Sequence, residues 1–326
     1  MEHAIELRDV RKTFGANVAV NAVSLAVPRG AVYGVIGPSG AGKTTCIRMI
    51  MSILFPDSGS LSVLGRASAL EAKDRIGYLP EERGVYRKMR VGAFLTYLAQ
   101  LKGVSRDTAA ARVPDLLERV GLRGTERTPC DELSKGMLQR VQFVGAILHE
   151  PELLILDEPF SGLDPVSVRL LREEVQRAHT RGATILLSTH IMAYAEEMCD
   201  HVFMLHEGRK VLDQPMAGMR RQFDPRRLLF EPLRADADVA GIAAMPDVSM
   251  VEAAAGGYTI TLVEGAEPSL AVARIAALVP PARIEIARLR LEDVFIRIVA
   301  GGGGLDEAAA ALRNRLQSDA AQEARV

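Results

Sequence analysis

The stretch Gly37-Pro-Ser-Gly-Ala-Gly-Lys-Thr44 decides the fold. A nearly continuous apolar run, residues 31–36, precedes it, and residues 44–54 follow with apolar side chains at helical spacing. Strand, glycine-rich turn and helix in that order are the context in which G-x-x-x-x-G-K-[ST] binds phosphate. The glycines let backbone N–H groups turn toward phosphate oxygens, and the helix start adds the positive end of its dipole. Lys43 supplies a point charge for the β- and γ-phosphates, and the Thr44 hydroxyl an oxygen for Mg²⁺.

A second apolar run, residues 153–156, ends in Asp157 and Glu158. At the C-terminal end of a strand beside a phosphate loop, Asp157 is expected to hold Mg²⁺ directly or through water. Glu158 is the expected general base for a water that attacks the γ-phosphate. Two carboxylates after a strand are by themselves a solvated turn; it is the phosphate loop that gives them chemistry.

The rest of the first two thirds alternates strands and helices. Residues 5–10 and 18–27 read as strands. Residues 91–101, 106–120 and 134–149 read as helices, with Pro114 expected to kink or interrupt the second. Residues 166–179 read as an amphipathic helix, and 183–188 as a third buried strand. Such alternation predicts an α/β fold with a mainly parallel sheet. Near residue 220 the composition changes, and 219–227 reads as a boundary. A strand at 228–230 and a helix at 236–244 follow. Residues 249–254 and 258–263 form a hairpin across Gly256-Gly257, and a helix at 270–279 and a strand at 283–289 close the pattern. That order is ferredoxin-like. An amphipathic segment at 291–299, a glycine linker at 301–304 and an Ala-rich tail at 305–326 complete the chain.

The chain has 326 residues, 48% of them hydrophobic and 25% charged, which is the composition of an ordinary globular protein. Forty Lys and Arg against 41 Asp and Glu give a net charge of −1, which argues against a nucleic-acid-coating protein. Cys46, Cys130 and Cys199 are far apart and suggest neither a disulfide framework nor a zinc site. The N-terminus lacks the basic-then-apolar pattern of a signal peptide, and no apolar run approaches membrane-spanning length. Any membrane role is therefore expected to run through a partner.

Between the phosphate loop and Asp157 stands Leu133-Ser-Lys-Gly-Met-Leu-Gln-Arg140, and after it come Ser161-Gly-Leu-Asp164 and His190. With Phe14 in Lys12-Thr-Phe-Gly15, these segments make residues 4–220 resemble the ATP-binding cassette (ABC) ATPases. The resemblance implies a P-loop ATPase core with a helical subdomain at about 86–150 and an N-terminal antiparallel β subdomain. It gives a cassette at 1–220, an accessory α+β domain at 221–300 and a tail at 301–326. It implies that Phe14 stacks on adenine. ATP would be held by Gly37, Pro38, Ser39, Gly40, Ala41, Gly42, Lys43, Thr44 and Thr45. Ser134, Gly136, Gln139 and Asp164 would complete the site across a head-to-tail homodimer or heterodimer. Glu158, His190, Lys43 and Glu81 would serve the chemistry, and Thr44, Asp157 and Glu81 would hold Mg²⁺.

Two positions depart from the family pattern: Lys135 stands where Gly is usual, and Glu81 where Gln is usual. A carboxylate at position 81 still offers Mg²⁺ an oxygen but adds negative charge beside the phosphates. Residues 83–98 would receive a membrane subunit, with Gly84, Val85, Tyr86 and Met89 as contacts. Residues 288–297 are similar to the closing stretch of export-type cassettes whose membrane permease is a separate chain. That implies an exporter subunit on the cytoplasmic face of the membrane. The accessory domain is expected to sense a small molecule or to hold two cassettes together. A soluble relative acting on ribosomes would carry two cassettes in tandem, and a chromosome ATPase would carry a long coiled coil. A small-molecule kinase would need neither the 133–140 signature nor the 161–164 loop.

Overall fold

A computed structural model of the protein describes residues 2–299 other than 83, 85, 87, 223–225, 235, 255, 288 and 289, with the backbone alone at 220–222. The expectations for Val85, for residues 288 and 289 and for the 301–326 tail lie outside the described residues. The chain divides into two compact units, Met1–Met216 and Ala217–Val326.

The first unit opens with two long strands, β1 (His3–Phe14) and β2 (Asn17–Pro28), then β3 (Val32–Ile36), α1 (Lys43–Ile50) and β4 (Ser58–Val63). A 3-10 segment at Ala69–Arg75 leads into β5 (Ile76–Leu79). Three helices follow, α2 (Val91–Leu101), α3 (Arg106–Arg119) and α4 (Lys135–Ile147). Then come β6 (Leu153–Asp157), α5 (Pro165–Thr180), β7 (Thr184–Thr189), α6 (Met192–Met198), β8 (His201–His206) and β9 (Arg209–Pro215). β2, β1 and β4 form an antiparallel sheet. The larger sheet runs β5-β6-β7-β3-β8-β9, parallel throughout except for the antiparallel β8–β9 edge.

Every residue of β3, β6 and β7 is buried. A parallel sheet covered on both faces demands this, and the unbroken apolar runs in the sequence follow from it. α1 sends Cys46, Ile47, Met49 and Ile50 into a core shared with Val20 and Val23 of β2 and with Leu153 and Ile155 of β6. The phosphate loop is thereby braced between the two sheets.

Pro114 does not interrupt α3, which stays helical from Arg106 to Arg119. Pro114 and Ala110 both face solvent, so the Ala110 carbonyl left without its partner can be hydrated. The helix after the loop is shorter than its apolar spacing predicts and ends at Ile50. Ser52 takes a left-handed conformation there. β4, β5, α6, β8 and β9 have no counterpart in the sequence reading.

The second unit begins in α7 (Met216–Gln222), which occupies part of the stretch read as a boundary. It continues through β10 (Arg227–Pro232), α8 (Ala240–Ala243), β11 (Val248–Ala254), β12 (Gly257–Leu262), α9 (Pro268–Leu278), β13 (Pro281–Ile286) and α10 (Leu291–Val299). The helix expected at 236–244 is cut to Ala240–Ala243. Its sheet runs β11-β12-β10-β13, with every pair antiparallel. The order β10, α8, β11, β12, α9, β13 is the ferredoxin-like pattern. Leu228, Phe230, Ile260 and Leu262 face Ile242, Ala271 and Ile275 in one apolar core.

Candidate active site

The phosphate loop spans residues 37–42 between β3 and α1. Gly37 and Gly42 have φ of 151° and 101°. A Cβ on Gly37 would meet the Leu205 carbonyl oxygen at 2.2 Å, and one on Gly42 the Ala19 oxygen at 2.5 Å. Only glycine fits at these two points, because the loop passes directly over β2 and β8. α1 starts without a side-chain cap, so its first N–H groups remain for an anion.

The loop forms one wall of a cleft of about 550 Å³, within the range of ligand sites. Ser39, Gly40, Ala41, Gly42, Lys43, Thr44 and Thr45 line it, together with Phe14, Glu81, Glu158 and His190. With Glu207 and Gly208, six separate segments of the chain meet here. Lys43 is buried and donates to the Gly37 and Pro38 carbonyls at 2.9 and 3.0 Å. Those two residues thus hold the lysine rather than line the cleft. Phe14 is 48% exposed at the end of β1, its ring 5.8 Å from the Lys12 ammonium.

Glu158 sits just beyond β6 in left-handed backbone, φ 49°, a strained conformation of the kind found at functional sites. Its carboxylate is buried between the Lys43 ammonium and the His190 ring. Oε1 lies 3.5 Å from Lys43 Nζ and Oε2 lies 2.9 Å from His190 Nδ1. His190 follows β7 and is partly exposed, so one end of this line reaches solvent.

Asp157 lines an adjoining groove with Glu81, Tyr78 and Arg48. Thr44 Oγ1 lies 3.3 Å from both Asp157 Oδ1 and Glu81 Oε2. Burial raises the Asp157 carboxyl above its usual pKa range, against the lowering effect of hydrogen bonds from Ser188 and Thr44. Its Oδ2 is buried with no hydrogen-bond partner. A hydroxyl and two carboxylates, one of them with an orphaned oxygen, make a hard donor set that suits Mg²⁺.

Ser134, Gly136 and Asp164 do not enter this cleft. Ser134 caps α4, accepting from the Met137 N–H at 3.3 Å, and Asp164 caps α5, accepting from Val166 and Ser167. A Cβ on Gly136 would come within 3.3 Å of Leu163, so these two helix starts adjoin. Gln139, expected to complete the site across a pair of cassettes, is turned toward its own chain. It is buried, and its amide donates to the Pro159 carbonyl at 2.6 Å. Its place on the inner face of α4 ties that helix to the turn after Glu158.

Several residues here carry no signal in the sequence. Asn17, Val18 and Ala19 line the cleft, as do Glu207 and Gly208 in the β8–β9 turn. The Gly208 N–H donates to Ala41 and its carbonyl accepts from Asn21, so the turn is sewn to the loop. Asp57 accepts from Lys12 Nζ, the Thr13 N–H and the Thr13 hydroxyl at 2.8, 2.7 and 2.6 Å, which anchors the strand end that carries Phe14. These donors hold the Asp57 carboxyl down to about 2.

The ABC transporter family model matches residues 20–161. An uncharacterized ABC transporter ATP-binding protein of Bacillus subtilis is 44% identical over 219 residues, covering 67% of this chain and 74% of that one. The bacitracin transport ATP-binding protein of Enterococcus faecalis is 31% identical over 311 residues, covering 93% and 98%. A solved ATP-binding subunit of an ABC transporter superposes with a TM-score of 0.63 at 35% identity, over 68% of this chain and 93% of that one. The chain belongs to the ABC transporter ATP-binding proteins and is an ATPase subunit of that family.

Proposed function

We propose that this ATPase binds ATP with Mg²⁺ in the cleft and hydrolyses it within a head-to-tail pair of cassettes, driving export through a separate membrane permease. The observation that carries the reading is the convergence of Lys43, Glu158 and His190 in one cleft, with Asp157 and its orphaned oxygen in the adjoining groove.

Lys43 would exchange the Gly37 and Pro38 carbonyls for phosphate oxygens, which accept more strongly because they are charged. Phe14 offers an exposed ring face to the base. Thr44, Asp157 and Glu81 would hold Mg²⁺, which neutralises charge on the phosphates when bound. Glu158 would take the proton of the attacking water, and His190 would orient the carboxylate through Oε2. Lys43, once turned to phosphate, no longer competes for that carboxylate.

Ser134 and Gly136 would meet the γ-phosphate held by a partner cassette. The exposure of Ser134 at the start of α4 supports this, since a helix start favours an anion. ATP then stabilises the closed pair and hydrolysis releases it, because the ligand differs in affinity for the two states. No helix among the described residues is long and apolar enough to cross a membrane. A permease encoded elsewhere would supply the pathway, with the cassette on its cytoplasmic face. Tyr86 and Tyr97, exposed and stacked edge to face beyond the Glu81 loop, support a protein contact there. The outward direction rests on the likeness of the sequence 288–297 to export-type cassettes, and the cargo would be set by the permease.

Glu158→Gln removes the base but keeps the shape. With saturating ATP and Mg²⁺, size-exclusion chromatography with light scattering is expected to find an ATP-loaded dimer. A monomer under those conditions refutes the paired-cassette mechanism. Capture of a polytopic membrane protein by the tagged chain from gently solubilised membranes tests the transport half separately.

A further inference from the structure

β6 and β7 pair in parallel with Asp157 opposite Ser188. Both side chains are buried, Ser188 completely. The Ser188 hydroxyl donates to Asp157 Oδ1 at 2.5 Å and accepts from the Glu158 N–H at 3.1 Å. The same N–H reaches the Ser188 carbonyl at 3.2 Å, where Glu158 enters left-handed backbone. One hydroxyl thus touches both acids that end β6. Serine can do this because its O–H donates one bond while its lone pairs accept another.

Thr44 is the other donor near Asp157 Oδ1. It lies at 3.3 Å, equally far from Glu81 Oε2, and has a single proton to give. A Thr44 hydroxyl engaged with a cation turns its lone pair that way. Ser188 is shorter-bonded and lies behind the sheet end, so its bond does not depend on what fills the cleft. With Oδ1 held by Ser188, Oδ2 is the oxygen left over, buried and without a hydrogen-bond partner. An orphaned buried oxygen calls for an ion or a water.

We propose that Ser188 is a positioning residue for hydrolysis. Its hydroxyl fixes the rotation of the Asp157 carboxylate so that Oδ2 stays available to the metal. It also holds the Glu158 backbone in the turn that aims the base into the cleft. Outer partners of metal-holding carboxylates act in this way elsewhere. The proposal rests on the ATP·Mg²⁺ reading of the cleft. Alanine at this position deletes both bonds and leaves the backbone free to pair as before, whereas threonine keeps the hydroxyl.

The test uses the full chain as wild type, Ser188→Ala and Ser188→Thr. Fluorescent ATP binding in EDTA reads the nucleotide alone. Electron paramagnetic resonance of Mn²⁺ titrated into the ATP complex reads the metal, and phosphate release reads the chemistry. Ser188→Ala is expected to bind metal-free ATP within about twofold of wild type, yet to lose about tenfold or more in Mn²⁺ affinity and in kcat. Ser188→Thr is expected to recover most of both. Unchanged Mn²⁺ affinity in Ser188→Ala overturns the proposal. So does an equal loss of metal-free ATP binding and metal binding, which would mark a packing role. If Ser188→Ala does not fold, Ser188→Cys, of similar volume and weaker donor strength, is held to the same split. Wild type that binds no Mn²⁺·ATP overturns the reading of the cleft instead, so the two failures are told apart.

Discussion

The two units bury different things. Lys43, Gln139, Gln142, Asp157, Glu158, Ser167, Glu174, Thr184, Ser188 and Thr189 are the buried polar or charged side chains among the described residues, and all lie before residue 217. The core of the second unit is Leu228, Phe230, Ile260, Leu262 and their apolar neighbours. A buried polar group destabilises a fold unless it is bonded. The first unit retains such groups: Lys43 and Glu158 line the cleft, and Ser188 bonds to Asp157 and to the Glu158 N–H behind it. The second unit is built for packing. The outer row of its sheet sets Leu229 between Thr259 and Glu285, with Glu252 beyond Thr259. That row is mixed in polarity, unlike the apolar inner face.

The contrast predicts that chemistry and stability can be broken separately. The largest effect is expected from Glu158→Gln, which should slow phosphate release by about 10²- to 10⁴-fold while leaving ATP binding in place. A loss of binding as large as the loss of rate would mean that the buried carboxylate is structural.

The converse is Phe230→Ala. Phe230 is 2% exposed in the apolar core of the second unit, and its truncation should destabilise that unit by about 3–5 kcal/mol. Calorimetry should find its transition lowered while the first unit still binds fluorescent ATP. Lost ATP binding would break the separation between the units.

A third prediction concerns a polar group of the first unit that lies outside the cleft. His149 Nε2 meets the Ile76 carbonyl at 3.2 Å, and its buried Nδ1 has no partner. Burial, helped by the Lys102 charge, pushes its pKa down to about 4. The unfolded imidazole takes up a proton near pH 6.5 and the folded one does not. Stability is therefore complete above pH 6.5 and falls as pH drops toward 4, by up to about 2 kcal/mol at pH 5. Urea unfolding at pH 7 and pH 5 should show this in wild type and less of it in His149→Gln.

The smallest effect is expected from Glu81→Gln, which should keep ATPase activity within a few-fold of wild type, since Glu81 is exposed and Thr44 and Asp157 remain. Abolished phosphate release would give this carboxylate a role beyond lending an oxygen.

How far the sequence reached depended on the range of the interaction. Helix α2 was legible to the residue, because its apolar spacing and the Gly103 that follows are local. The phosphate loop was legible because its geometry comes from glycines at short, fixed spacing, Gly37, Gly40 and Gly42. β4 and β9 were not, since their exposed and mixed patterns resemble loops. Pro114 misled because its effect depends on which face of α3 is wet. The bond from Gln139 to the Pro159 carbonyl was not legible, because a motif names a residue without saying which way its helix turns it.

The sequence by itself determined the phosphate loop, the two acids at the end of the 153–156 apolar run, the signature helix and the ferredoxin-like order of the second unit. Each is written in neighbouring residues or in a local hydrophobic period. Only the tertiary structure decided that β3 lies between β7 and β8, that Asp157 faces Ser188, and that the Glu207–Gly208 turn and the end of β1 close the cleft. Strand order and register are set by burial between segments far apart in the chain, and no local pattern encodes that pairing.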